Sequence, residues 1–174
     1  MKRFSLSQSL SKTLPAALLA VAAITLAGCG FTPLYGPQSV TKGLSAIEVV
    51  AAPGRAGYLL REKLDDAFAR DVNVLPSHRL VYTLSEQRYA RGVRVDNVAN
   101  RYELSLTAYW SLMDSKTGKS VKSGVTSAAV TYDSADQPYA SIAAQQDSQE
   151  RAATELARRI QLELAAWLAG KAKA

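Results

Sequence analysis

Between residues 102 and 112 the chain alternates without a break. Tyr102, Leu104, Leu106, Ala108, Trp110 and Leu112 fall on one side, and Glu103, Ser105, Thr107, Tyr109 and Ser111 on the other. That period of two predicts a strand with one apolar and one polar face. From about Arg79 onward, Leu80, Tyr82 and Leu84 alternate with Val81, Thr83 and Ser85, which predicts another strand. Asp114-Ser115-Lys116-Thr117-Gly118-Lys119 has the composition of a turn, and residues 120–132 return as the partner of the alternating segment. Strands of ~12–14 residues are long against the usual ~5–6, so this hairpin is expected to project past the body or to curl strongly.

Helical spacing replaces alternation in two places. In residues 57–70, Leu60, Leu64, Ala67 and Phe68 share one face, with Glu62, Lys63, Asp65 and Asp66 on the other. In residues 139–170, Leu156, Ile160, Leu164, Trp167 and Leu168 form a stripe, and Glu155/Arg159 and Arg159/Glu163 pair at i,i+4 on the solvent side. At 1.5 Å per residue this second helix spans roughly 45 Å, a match for the long hairpin. A short strand at 47–52 ends at Pro53-Gly54, and residues 133–138 break the sheet. The order β-α-β-β-β-α over residues 46–170 predicts a single α+β domain. Its economical form is a two-layer sandwich, a four-stranded, mostly antiparallel sheet with two helices packed on one face. Pro33, Gly36, Pro37 and Gly43 make residues 31–44 read as an irregular tether, and residues 171–174 as a frayed tail.

The amino-terminal segment follows neither period. Met1-Lys2-Arg3 and Lys12 precede an apolar run, residues 14–26, that holds no charge, and Ala27-Gly28-Cys29 closes it. A basic segment, ~7–15 apolar residues and small residues, in that order, is a bacterial secretory signal. The run is about 13 residues, short of the ~17–25 of a spanning helix. The small pair before the chain's one cysteine resembles a lipobox, the cleavage and lipidation site of bacterial lipoproteins. It implies that residues 1–28 are removed. Cys29 then begins the mature chain, carries diacylglycerol and an N-acyl lipid, and heads a lipidated tether over residues 29–45. One acyl chain holds a protein reversibly, whereas several anchor it stably. Gly30 stands where enteric-type lipoproteins retained in the inner membrane carry Asp. The resemblance therefore places the chain on the periplasmic side of the outer membrane.

Removing residues 1–28 from the 174 leaves 146, with 18 Lys+Arg against 15 Asp+Glu. A chain of that size is one domain and buries roughly 68–70% of its unfolded surface. With the one thiol committed to lipid, no intrachain disulfide forms. A net charge of +3 on the mature chain gives no support to nucleic-acid binding.

Catalytic raw material is scarce, and the chain reads as a non-enzyme. The one histidine, His78, lies beside Pro76 at the start of a strand, so no Cys/His metal site of ordinary type assembles. No serine sits in a Gly-x-Ser-x-Gly elbow. Thr117-Gly118-Lys119-Ser120 looks like the end of a phosphate-binding loop, but the required earlier glycine is Met113 and strands flank it. Asp65-Asp66 and Asp133/Asp136 read as solvated carboxylates. No cofactor is expected beyond the lipid on Cys29.

Positive charge collects in three places. Arg88, Arg91 and Arg94 continue toward Arg101 along a strand or its extension. Their spacing puts Arg88 and Arg94 on one face and Arg91 on the other, unless a bulge near Gly92 realigns them. Lys116, Lys119 and Lys122 mark the hairpin turn. Arg151, Arg158 and Arg159 lie on the long helix among glutamates and read as a solvated face. Guanidinium forks and ammonium groups suit the phosphates of an anionic amphiphile. Basic residues also shield exposed strand edges, and the first two clusters fit either role.

The run Cys29-Gly30-Phe31-Thr32-Pro33-Leu34-Tyr35-Gly36 directly after the lipobox resembles the LPS-assembly lipoprotein family LptE in its alphaproteobacterial form. Element order, mature length, Tyr-rich strands and the C-terminal alanine/arginine helix ending at Trp167-Leu168 agree. The resemblance implies a non-catalytic lipoprotein that forms a heterodimer with the β-barrel LPS-assembly protein LptD. It would sit in the barrel lumen, support barrel assembly and take part in delivering lipopolysaccharide to the outer leaflet. Arg88, Arg91, Arg94, Lys116, Lys119 and Lys122 are the expected lipopolysaccharide contacts, from charge placement rather than from any motif. An auxiliary lipoprotein of an ABC-type lipid transporter is the alternative, and a peptidoglycan-binding lipoprotein a more distant one.

Overall fold

The computed structural model describes residues 38–93, 99–134 and 137–171. The expected signal segment, Cys29, the motif after it and Arg94 lie outside the described residues. The described elements are α1 (Gln38–Ser45), β1 (Ile47–Val49), α2 (Arg55–Ala67), β2 (His78–Val93), β3 (Ala99–Asp114), β4 (Ser120–Asp133) and α3 (Pro138–Lys171). The four strands form one sheet in the order β1-β2-β3-β4.

This is the expected α+β sandwich, with two amendments. The sheet is mixed: β2, β3 and β4 pair antiparallel, but β1 runs parallel to β2, with Ile47 opposite His78 and Val49 opposite Leu80. Parallel neighbours need a crossover, and α2 supplies it. The second amendment is α1. Residues 38–45 are helical where an irregular stretch through Leu44 was expected, and Val40 and Leu44, four apart, are buried. Gly43 lets the helix approach α3 closely: a Cβ there would lie 3.0 Å from Leu168 Cδ1.

The even-numbered side chains of the long strands face the helices. Leu80 opposes Leu112, Tyr82 opposes Trp110, and Leu104 opposes Val130. Together with Ile47, Leu60, Leu64, Phe68, Leu156, Ile160 and Leu164 they fill the single core. The strands do not run past α3. Its 34 residues span about 51 Å and the 16 residues of β3 about 54 Å. α2 is only 13 residues long, so it covers β1 and the first half of β2. From Glu86 to Arg91, β2 is exposed on both faces.

Candidate functional site

Among the described residues, no helix covers the other face of the sheet. Val81, Thr83, Ser85 and Gln87 of β2 share it with Ser105, Thr107, Tyr109 and Ser111 of β3 and with Ser123, Val125, Ser127 and Ala129 of β4. None of these side chains is charged. They make a hydroxyl-rich band, with Tyr109 and Val125 exposed by 53% and 61% beside a shallow depression that Val81 and Ser123 also line. Charge appears only towards its ends, as the Arg79–Glu48 pair at 3.0 Å and the Arg91–Glu103 pair at 2.7 Å.

A relay on the helix side, buried at Trp110 and Thr126 and ending at the exposed Glu163, braces this plate. Trp110 Nε1 donates to Thr126 Oγ1 at 2.9 Å, and the Thr126 hydroxyl donates to Glu163 at 2.8 Å. Gly124 makes room for the indole, since a Cβ there would lie 2.4 Å from Trp110 Cζ2. Glu163 was expected to pair with Arg159. Arg159 instead turns to Glu155 at 2.7 Å and to the Ser127 carbonyl at 2.7 Å, closing one outward carbonyl of the β4 edge. Nothing in the i,i+4 pattern of α3 announced that Glu163 would face a strand hydroxyl.

The six basic residues singled out from sequence do not form one site. The register puts the arginine cluster beside the β2–β3 connection and the lysine cluster at the β3–β4 turn. These are opposite ends of the sheet, from about 27 Å (Arg88 to Lys122) to about 44 Å (Arg101 to the turn) apart along β3. The ladder does slip between Ala90 and Gly92, as a bulge there would require. Yet the bulge leaves Arg88 and Arg91, the two described arginines of the trio, on opposite faces. Arg88 stays on the helix side, its Nη1 donating to Gln145 Oε1 at 3.2 Å and its guanidinium 4.9 Å above the Tyr102 ring. Arg91 lies on the open face against Glu103 and over Tyr89. Arg101 pairs with Asp133 at 2.8 Å across to β4. Two of the three described arginines at this end thus have their charge answered by a carboxylate, leaving Arg88 as the one held by a neutral partner. Sequence reasoning missed Glu103 and Asp133 as neutralising partners. Their positions opposite the arginines follow from register, not from composition.

Tyr102 stacks on Tyr132 with centroids 5.7 Å apart, and the Tyr132 hydroxyl is buried without a hydrogen-bond partner. At the other end, Asp114 Oδ1 accepts from Lys116 N at 3.0 Å and from Thr117 N at 2.8 Å, with Gly118 in the left-handed region at φ 66°. Hydrogen bonds from Thr117 hold the Asp114 carboxyl below its ordinary range. The turn is therefore rigid. Lys116, Lys119 and Lys122 are exposed and make no ion pair among the described residues. Arg151 is paired with Asp147, and Arg158 and Arg159 with Glu155, on the solvated face expected of them.

His78 packs edge-on against Trp167 at 5.8 Å, and burial pushes its pKa down. Among the described residues no group of three His, Cys, Asp or Glu side chains is placed to hold a metal ion, and no helix is long and apolar enough to cross a membrane.

Residues 44–164 match the family described as LptE, Lipopolysaccharide-assembly. The chain is similar to a lipoprotein of known structure from Caulobacter crescentus CB15. The two are 62% identical over 76% of this chain and 96% of that one, with a TM-score of 0.67. Rare lipoprotein B from Shewanella oneidensis is 14% identical over 71% of this chain and 96% of its own, with a TM-score of 0.51. Lipoprotein B from Nitrosomonas europaea is 11% identical over 71% and 83%, with a TM-score of 0.54. The last two carry the likeness of fold alone. No curated protein matches the chain.

Proposed function

The chain belongs to the LptE family of lipopolysaccharide-assembly proteins, and from that premise we propose an outer-membrane lipoprotein, anchored through acylated Cys29, that works inside the β-barrel protein LptD. In this reading it supports assembly of the barrel, occupies its lumen, and takes part in passing lipopolysaccharide to the outer leaflet. Its role is binding and scaffolding, without catalysis.

The observation that carries the partner assignment is the open sheet face. A hydroxyl-rich plate, uncharged along residues 81–87, 105–111 and 123–129 and covered by no helix among the described residues, suits the polar interior of an outer-membrane barrel. A water-exposed face needs no such freedom from charge along its centre, and a face destined for lipid would not carry serine and threonine at most positions.

Lipopolysaccharide contacts are assigned to the two basic ends, with unequal weight. Arg88, beside the stacked Tyr102 and Tyr132, offers a planar guanidinium above aromatic surface. Arg91 must first give up Glu103 before it can fork onto a phosphate. Arg94 follows them in sequence. Lys116, Lys119 and Lys122 supply point charges about 27 Å or more from Arg88 along the sheet and therefore meet a different part of the path or a different lipid.

Affinity purification of the tagged lipoprotein from detergent-solubilised outer membrane, with mass spectrometry of what accompanies it, tests the reading. Near-stoichiometric recovery of a large outer-membrane β-barrel protein is expected. Recovery of inner-membrane ABC transporter components instead would overturn it in favour of a transporter auxiliary.

A further inference from the structure

The end of the sheet that carries the lysine turn also displays apolar side chains that the fold does not use. Val72 and Leu75, between α2 and β2, are 83% and 90% exposed, and Val74 beside them is 43% exposed. The loop that holds them is tied down. Asp71 N donates to the Ser45 carbonyl at 3.3 Å, and Arg70 Nη1 donates to the carbonyls of Ser45 and Asp71 at 3.3 and 3.0 Å. Asn73 N donates to Asp71 Oδ1 at 2.9 Å, and Ser77 N to the Ala46 carbonyl at 2.9 Å. These side chains are held out into solvent by an ordered backbone rather than left there by a loose one.

Four further features meet at this end. Ser115 N donates to the Ser77 carbonyl at 3.1 Å, which sets Lys116 and Lys119 beside the loop. Lys171 lies 4.7 Å from the Trp167 ring at the last turn of α3, and His78 packs perpendicular to the same ring at 5.8 Å. Tryptophan and lysine are side chains that favour the headgroup level of a bilayer. Two carboxylates at this end, Asp71 and Asp114, each accept backbone N–H groups of their own turns. Finally, α1 ends here at Ser45. Eight residues separate Gln38 from Cys29, a stretch that reaches no further than about 30 Å when fully extended.

We infer that this end of the molecule rests on the membrane, with Val72 and Leu75 entering the bilayer interface and Lys116, Lys119 and Lys171 against the phosphates of lipid headgroups. The bilayer is the one that holds the chain's own acyl anchor, so the inference rests on the lipoprotein reading of Cys29. It sets the orientation of the domain: the lysine turn lies at the periplasmic mouth of the barrel, level with the headgroups of the leaflet that holds the anchor, and the arginine end points along the sheet into the lumen. It also divides the basic clusters by task, lysines for the supporting membrane and arginines for lipopolysaccharide. Apolar tips surrounded by cations match an anionic interface, where shallow insertion and charge attraction reinforce each other.

Cys29 is the only cysteine, so in the acylated full chain an introduced thiol is the sole site for an environment-sensitive fluorophore. The lipidated protein carrying Leu75→Cys, and separately Tyr109→Cys, is reconstituted into vesicles of phosphatidylethanolamine and phosphatidylglycerol. The label at position 75 should shift to the blue, lose quenching by aqueous iodide and gain quenching by nitroxide-labelled lipid. The label at 109 should stay aqueous. Adding Lys116→Glu and Lys119→Glu should restore iodide quenching at position 75. Vesicle flotation with a label at 75 as open to iodide as the one at 109 overturns the inference and leaves the anchor standing. Failure to float with the vesicles overturns the anchor, and the inference with it.

Discussion

Gly57→Ala is a substitution whose ordinary sign the packing reverses. Gly57 is the third residue of α2 and is buried. In an open helix position, alanine in place of glycine stabilises by roughly 0.5–1 kcal/mol. Here a Cβ would lie 2.1 Å from the Ala52 carbonyl oxygen and 2.7 Å from its carbon. Backbone cannot swing aside as the end of a side chain does, so the start of α2 must move outward by about 1 Å to reach ordinary contact. The Gly57 carbonyl also accepts the buried Tyr82 hydroxyl at 2.8 Å, a phenol whose pKa burial pushes up to about 12. Lifting the helix stretches that bond, and a buried hydroxyl left without a partner costs about 1–3 kcal/mol. Overpacking itself costs about 1–3 kcal/mol. Against the helix-propensity gain, the net expectation is a loss of about 1–5 kcal/mol. The assay is urea unfolding followed by tryptophan fluorescence and circular dichroism, with an unchanged slope and a lower midpoint. Gly170→Ala is the internal control. Nothing lies within 4 Å of a Cβ there, so it should leave stability level or raise it by up to about 1 kcal/mol. A Gly57→Ala protein as stable as the parent, or more so, would refute the packing of α2 on the β1 turn.

Other perturbations have equally definite signs. Tyr132→Phe removes a buried hydroxyl that has no partner, so it should hold the urea midpoint or raise it, by up to about 1 kcal/mol. The Glu155 carboxyl is held at about 2, below an ordinary 4.5, first by its hydrogen bond from Arg158 and then by that from Arg159. A depressed folded pKa gives a contribution that is full above 4.5 and is lost as pH falls from there through 2, so Glu155→Gln should flatten the acid limb of the stability profile in that window. Glu103→Gln should release Arg91 and strengthen binding of lipopolysaccharide to the purified protein, whereas Arg88→Ala should weaken it by roughly tenfold. Both effects should shrink as salt is raised, and equal binding by both variants at low salt would dismiss the arginine end as a phosphate site.

The strand pattern made most of the fold legible, because a half-buried sheet enforces a period of two on every residue it contains. The alternation of residues 102–112 became the centre of β3, and the helical stripe from Leu156 to Leu168 became the buried face of α3. What stayed hidden depended on partners distant in sequence. Pro37 and Gly43 read as breakers when taken alone. Pro37 lies outside the described residues, and Gly43 is the point of contact with Leu168 within a helix. Arg91 read as an uncompensated cation until the ladder set Glu103 beside it. Glu163 read as a surface acid and is exposed, but its partner, Thr126, is 37 residues away on β4 and could not be read from the helix alone. The open sheet face was visible as a row of serines and threonines. Its freedom from charge across three strands emerged only once the register was known.

The claim that this plate meets a barrel wall is tested most directly by photocrosslinking in living cells. A photoreactive phenylalanine analogue is placed at Tyr109, exposed on the open face, and at Arg151 on the solvated side of α3. A covalent adduct between position 109 and the large outer-membrane barrel protein, stronger than any from position 151, is the result the account predicts. An adduct from 151 with none from 109 would contradict the placement of the sheet, and no adduct with a barrel protein from either position would contradict the partnership itself.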